Sequence, residues 1–232
     1  MIYTVVADTK KFKEAYENAQ IRDCHDTCQP LTLIPKDVLD YIKNGKSGEI
    51  KTERLAAYST LFFALFSLYG NKNFAICRKD SGKPYLTENG EISAIRISIS
   101  HTDGAVAVAL SDEYEVGVDV QSEIDERRAG RLEKRFFNSI NTTEESVPPE
   151  LLNLRFGDNE MSLEPIKSTN IKVSDFTKKW AYCESLLKCD GGGFGSLEKI
   201  SDIQKQTNVS IYTVEINEKP YAVATAAKSA KM

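Results

Sequence analysis

Four short stretches of the chain combine residue types that do chemistry. In Val116-Gly117-Val118-Asp119-Val120 a carboxylate interrupts an otherwise apolar run. An unpaired buried carboxylate is costly, so Asp119 needs a cation beside it, either a basic side chain or a metal. Gly117 leaves room for another backbone or a ligand to come close. The second stretch is Trp180-Ala181-Tyr182-Cys183-Glu184-Ser185-Leu186-Leu187-Lys188. Positions four apart share a helix face, so Trp180, Glu184 and Lys188 form one stripe. Taken alone, that stripe also reads as a surface ion pair beside a half-buried indole, which contributes little. The third, Ser98-Ile99-Ser100-His101-Thr102, leaves a strand for a turn at Asp103-Gly104 and carries hydroxyls and an imidazole able to bind an oxyanion. The fourth, Ser81-Gly82-Lys83-Pro84-Tyr85, is a turn that presents a lysine on a stiff backbone.

The elements that must position these residues follow from periodicity and punctuation. Met1 to Ala7 reads as a strand, residues 10–30 as a short helix with loop, and Pro35 to Ile42 as a short helix. Lys51 to Tyr69 reads as a long helix, nearly continuously apolar from Leu55 and stopped by Gly70-Asn71, as suits a helix buried on most sides. Arg96 to Ser100 alternates at period two, whereas Ala105 to Leu110 is small and apolar throughout, the pattern of a strand covered on both faces. Val116 to Val120 is the next strand, and Asp125 to Phe137 a charged amphipathic helix. Residues 138–172 are dominated by Asn, Thr, Ser, Glu and Pro, which predicts a long loop or mobile insertion. Asp175 to Lys188 is a helix ended by Gly191-Gly192-Gly193, and Val209 to Ile216 and Tyr221 to Ala227 form a hairpin across residues 217–220. The order of elements hints at a weak internal repeat, each unit a helix followed by strands.

Bulk properties set the frame. The 232 residues carry 41% hydrophobic and 28% charged side chains and a net charge of −4, an ordinary composition that gives no electrostatic reason to expect nucleic acid. The most apolar stretch, Leu55 to Tyr69, is shorter than the roughly 20 residues that span a bilayer, so no membrane is expected. Five cysteines without a framework spacing read as reduced thiols of a cytoplasmic protein. Cys24, His25 and Cys28 could form a partial metal site, but a structural zinc takes four ligands and no second Cys/His pair lies at suitable spacing, which favours a chance cluster in a polar loop.

Together, Gly82-Lys83-Pro84, then Ile99-Ser100-His101-Thr102, then Val116-Gly117-Val118-Asp119, then Trp180…Glu184-Ser185…Lys188 resemble the Sfp-type 4′-phosphopantetheinyl transferases, over roughly residues 51–225. Lys134-Arg135-Phe136-Phe137 is similar to that family's segment after the metal-binding strand. The resemblance implies an α+β fold of two similar α/β halves with the active-site cleft between them. Residues 1–115 would carry the 3′-phosphate and adenine side of coenzyme A, and residues 116–232 the metal and the catalytic helix. It implies that Asp119 and Glu184 bind Mg²⁺ and that Lys188 contacts the diphosphate. Lys83, Pro84, Ser100, His101 and Arg54 would hold the 3′-phosphate end. The implied reaction moves phosphopantetheine from coenzyme A to a serine of an apo acyl or peptidyl carrier protein, releasing 3′,5′-ADP, with Asp119, Glu184 and Lys188 as the catalytic group. The apparent duplication implies a monomer, and residues 138–172 would lie near the carrier.

The chain departs from the family pattern twice. Gln121 stands where a further acidic residue is common; it shares the strand face with Asp119 and offers the metal a neutral amide oxygen. Cys183 stands where a lysine is common, which removes a positive charge near the phosphates. These two positions are the grounds for the alternative of a relative that binds coenzyme A or a carrier without transfer.

Overall fold

The computed structural model describes residues 1–21, 34–43, 49–70, 73–136, 149–156, 161–166, 169 and 171–230. The Cys24, His25 and Cys28 cluster, Phe137 and the first part of the 138–172 segment lie outside them. The described elements form a mixed α/β fold with three sheets.

The first sheet has the order β5-β6-β1-β8-β9: β1 is Ile2–Asp8, β5 Arg96–Thr102, β6 Ala105–Ser111, β8 Glu150–Phe156 and β9 Met161–Pro165. β1 runs antiparallel to β6, with Val5 opposite Val108, and parallel to β8, with Val5 opposite Leu152. The second sheet is β10-β11-β7, from Asn208–Ile216, Lys219–Ser229 and Tyr114–Ser122. A small third sheet, β2-β3-β4, comes from Phe74–Arg78, Pro84–Glu88 and Glu91–Ile92.

The apolar pattern explains the layering. All of β6 is buried, and its residues divide by parity. Val106, Val108 and Leu110 face a core shared with Ala57, Leu61 and Leu65 of helix α3, Glu49–Tyr69. Ala105, Ala107 and Ala109 face a second core with Val116, Val118 and Val120 of β7 and Val223 of β11, between the two larger sheets. A third core lies on the outer face of the second sheet, where Ala222, Ala224 and Ala226 meet Trp180, Leu186 and Leu187 of helix α5, Asp175–Asp190. Small residues on the central strands let the layers approach closely, and inside the stack Thr4 and Thr225 satisfy each other across the sheets at 2.8 Å. Helices α1, Thr9–Ile21, and α2, Lys36–Lys43, complete the first layer. Helix α4, Glu126–Phe136, follows β7; a 3₁₀ turn, Gly193–Lys199, and α6, Ile200–Lys205, follow α5. Among the described residues no helix is long and apolar enough to cross a membrane.

Two expectations are corrected. Residues 150–156 and 161–165 are not loop but strands, and they extend the first sheet beside β1. A polar composition hid β9, which alternates half-buried Met161 and Leu163 with exposed Ser162 and Glu164 at the sheet edge, whereas β8 carries the buried Leu151, Leu152 and Leu154. The same pairing carries chain from beyond residue 115 into the sheet of the first 115 residues. The β10–β11 turn is tighter than residues 217–220. Asn217 and Glu218, at φ 51° and 61°, make a two-residue hairpin turn, and Lys219 and Pro220 already pair with β10. Pro220 lies just beyond the last residue of β11 paired with β7, Tyr221, so its missing N–H breaks no ladder there.

Candidate active site

Helix α5 carries the Glu184 and Lys188 stripe, and its ends are well defined. Ser174 caps it, accepting from the Thr177 N–H, and the Glu123 carboxylate just after β7 accepts from Ser174 N at 3.0 Å. At the other end Gly191 adopts the left-handed conformation, φ 89°, and donates to the Leu187 carbonyl. The helix lies directly on β7. A Cβ built on Gly117 would come within 2.8 Å of Cys189 Cα and closer still to the Ser185 carbonyl oxygen and Cys189 N. Gly117 therefore serves the close approach of a helix backbone.

That approach brings Glu184 and Lys188 over Asp119. The Lys188 ammonium lies 2.7 Å from Asp119 Oδ1, 2.9 Å from Ser100 Oγ and 3.9 Å from Glu184 Oε2. Ser100 donates to Asp119 Oδ1 at 2.8 Å and accepts from the Val120 N–H at 3.3 Å. Ser98 does the same for the Val118 N–H, so two hydroxyls of β5 join it to the edge of β7. Asp119 is 4% exposed, and its Oδ2 is buried with no hydrogen-bond partner. Burial first, then the nearby Asp119 charge, push the Glu184 carboxyl above the usual carboxylate range; Lys188 pulls the other way.

Beside this cluster opens a pocket of about 400 Å³. Its lining includes Arg54 and Tyr58 of α3, Tyr41 of α2, Arg78, Gly82, Lys83 and Pro84 of the β2–β3 hairpin, Ser98, Ile99 and His101 of β5, and Leu187 and Lys188 of α5. Among the described lining residues five are basic, counting His101, and none is acidic. Two aromatic rings stand among the cations. The Arg78 guanidinium donates to the Tyr58 hydroxyl at 2.7 Å and lies 5.6 Å from the centre of the Tyr41 ring. Burial raises the Tyr58 hydroxyl above its ordinary range, against the pull of Arg78.

The residues singled out from sequence fall into three groups. Lys83, Pro84, His101, Arg54 and Lys188 line the pocket together. Asp119, Glu184 and Lys188 form the cluster at its edge. Ser100 belongs to that cluster and not to the pocket wall: its hydroxyl has one donor and two acceptor positions, and Asp119, Lys188 and Val120 fill them. No capacity remains for a phosphate. His101 is on the other face of β5, with Nδ1 3.0 Å from Glu53 Oε2. Gln121 shares the β7 face with Asp119, and its amide nitrogen donates to the Ser122 carbonyl at 3.3 Å. Cys183 points into the α5 core, where burial pushes its thiol up to about 12. Cys183 therefore faces away from the pocket.

Sequence reasoning missed the partners of Lys83. Its ammonium donates to Glu115 Oε2 at 2.8 Å and to the Cys189 carbonyl at 2.7 Å, near the C-terminal end of α5. Glu115 also accepts from Arg96 Nε at 3.1 Å. Burial opposes the Glu115 charge, but the Lys83 hydrogen bond, with the charges of Lys83, Lys79 and Arg96, holds its carboxyl below the usual range. Arg78 and Tyr58 were missed as well, although a signal existed: Tyr58 is one helical turn after Arg54 and so shares its face.

For a divalent cation, two oxygen-donor carboxylates converge on one point. Among the described residues no group of three or more His, Cys, Asp or Glu side chains forms a metal cage. Asp119 and Glu184 nevertheless fit Mg²⁺, which takes one or two carboxylates and fills its octahedron with water and substrate phosphate. The orphaned Asp119 Oδ2 is a free donor of the required kind. In comparisons with known proteins, no family model matches this chain and no curated protein matches it.

Proposed function

We propose that this chain is a 4′-phosphopantetheinyl transferase, using coenzyme A as donor and a serine of an apo carrier protein as acceptor. The observation that carries the reading is the Asp119, Glu184 and Lys188 cluster at the edge of a pocket lined by cations and tyrosines. Such a pocket suits a ligand with several phosphates and a flat heterocycle, and coenzyme A has both. The order of layers, with helix α3 outside one sheet and helix α5 outside the other, is in keeping with two α/β halves around a cleft.

In this reading Arg54, Arg78 and His101 meet the 3′-phosphate and adenine end, and Lys188 meets the diphosphate. Asp119 and Glu184 would hold Mg²⁺, which supplies charge neutralisation to the diphosphate oxygens when bound. The carrier serine oxygen attacks the phosphorus next to pantetheine. The bond from that phosphorus to the bridging oxygen breaks, and 3′,5′-ADP leaves with the electron pair. Glu184 would accept the serine proton, and its burial raises its affinity for protons. Lys188 stabilises negative charge on the leaving phosphate, and positioning supplies much of the rest.

The test is incubation with coenzyme A, Mg²⁺ and a panel of apo carriers, read by mass. A gain of one phosphopantetheine on a carrier is expected. No gain on any carrier, together with Mg²⁺-dependent binding of coenzyme A, would identify instead a relative that binds without transfer.

A further inference from the structure

We infer that Lys188 is an internal counter-ion that occupies the divalent-cation position in the free protein, and so sets how tightly that position takes the ion. The inference deepens the transferase reading and rests on it for the identity of the ion; the geometry of the competition is separate. Asp119 is 4% exposed, and a buried carboxylate is costly without a cation beside it. The charge against its Oδ1 is the Lys188 ammonium, at 2.7 Å. Ser100, which donates to the same oxygen, also accepts from Lys188. Glu184, the other carboxylate, is nearest the same ammonium, at 3.9 Å. A divalent ion held by Asp119 and Glu184 on this face would compete with the ammonium that lies 2.7 Å from Asp119 Oδ1 and 3.9 Å from Glu184 Oε2.

The displaced side chain has somewhere to go. Lys188 is 29% exposed, and it lines the basic pocket as well as the carboxylate cluster. Its flexible stem lets the ammonium move from Asp119 into the pocket, where an anionic ligand would receive it. One side chain would thus neutralise Asp119 in the free protein and phosphate in the complex, and no charge would be left buried alone in either state.

The test titrates Mg²⁺ alone, without coenzyme A, into the parent, Lys188→Met and Lys83→Met by calorimetry. Lys83→Met removes the same charge from the same pocket wall without touching Asp119. We expect Lys188→Met to bind Mg²⁺ about tenfold tighter than the parent, and Lys83→Met to change by less than about twofold. Mg²⁺ should also raise the melting temperature of Lys188→Met more than that of the parent, because only the folded state binds it. If Lys188→Met does not fold, Lys188→Gln carries the same comparison. Equal affinities in parent and Lys188 variant overturn the inference. So do equal gains in the Lys188 and Lys83 variants, which would mean a general charge effect, and so does absence of binding in all three. Transfer is scored separately by carrier mass. Diverging affinities without transfer leave the competition standing and remove the transferase reading; transfer with unchanged affinities removes the competition alone.

Discussion

Gly117→Ala adds one methyl group at the contact that sets the whole site. The new Cβ would lie 2.8 Å from Cys189 Cα, where ordinary contact begins at 3.4 Å, with Ser185 O and Cys189 N nearer still. All three are backbone atoms of α5, so no side-chain rotation relieves the clash. Either β7 or the helix must move. Overpacking of a core costs about 1–3 kcal/mol, and a contact with fixed backbone on both sides belongs at the upper end. For a chain of 150–250 residues, about 3 kcal/mol corresponds to a fall in melting temperature of about 6–12 °C. The helix carries Glu184 and Lys188 while the strand carries Asp119, so withdrawal by roughly 1 Å also separates the cluster, at a cost on the order of hundredfold in turnover. The assays are thermal unfolding by circular dichroism and carrier modification by mass under Mg²⁺ saturation. A folded Gly117→Ala protein that melts with the parent would refute the close packing of α5 on β7. One that melts lower but transfers at the parent rate would refute the claim that this packing sets the cluster geometry.

Glu184→Gln should melt higher than the parent near neutral pH. A carboxyl raised in the folded state is stabilising only when protonated, so the parent loses stability as pH rises from the ordinary value of 4.5 through the raised one. The advantage of the variant should vanish in acid, and an advantage independent of pH would show that Glu184 is not shifted by burial. Glu115→Gln should destabilise by about 2–3 kcal/mol at neutral pH, since it leaves the buried Lys83 ammonium without its carboxylate. Because the Glu115 carboxyl is held low, that penalty should fade only as pH falls below 4.5, through the lowered value; denaturant unfolding at neutral and acid pH checks it. On the proposed transferase reading, Gln121→Glu should lower the Mg²⁺ concentration that half-saturates transfer, because an anionic oxygen on the Asp119 face is a stronger ligand than an amide. An unchanged midpoint would place position 121 out of reach of the ion.

The sequence by itself determined the elements whose signal is local. Period-two alternation in Arg96 to Ser100, the fully apolar Ala105 to Leu110 and the Gly191 stop after Lys188 each encode their element within a few residues. The same holds for the suspicion about Asp119, because an acid among valines is costly wherever the chain goes. The β2-β3-β4 sheet and the β8 and β9 strands were not legible. β2, β3, β4 and β9 are short, mostly half-exposed and rich in polar residues, and β8, despite buried Leu151, Leu152 and Leu154, is completed as a sheet strand by pairing with β1, far away in sequence. Only the tertiary structure decided which cation neutralises Asp119, since Lys188 is 69 residues away and reaches it only once α5 seats on Gly117. Only the tertiary structure, likewise, turned Ser100 toward that pair and bound Lys83 to Glu115 and the Cys189 carbonyl. A sequence specifies which groups must find partners; where several partners of the right charge exist, packing chooses among them, because the interaction energies depend on ångström distances and burial that no local pattern carries.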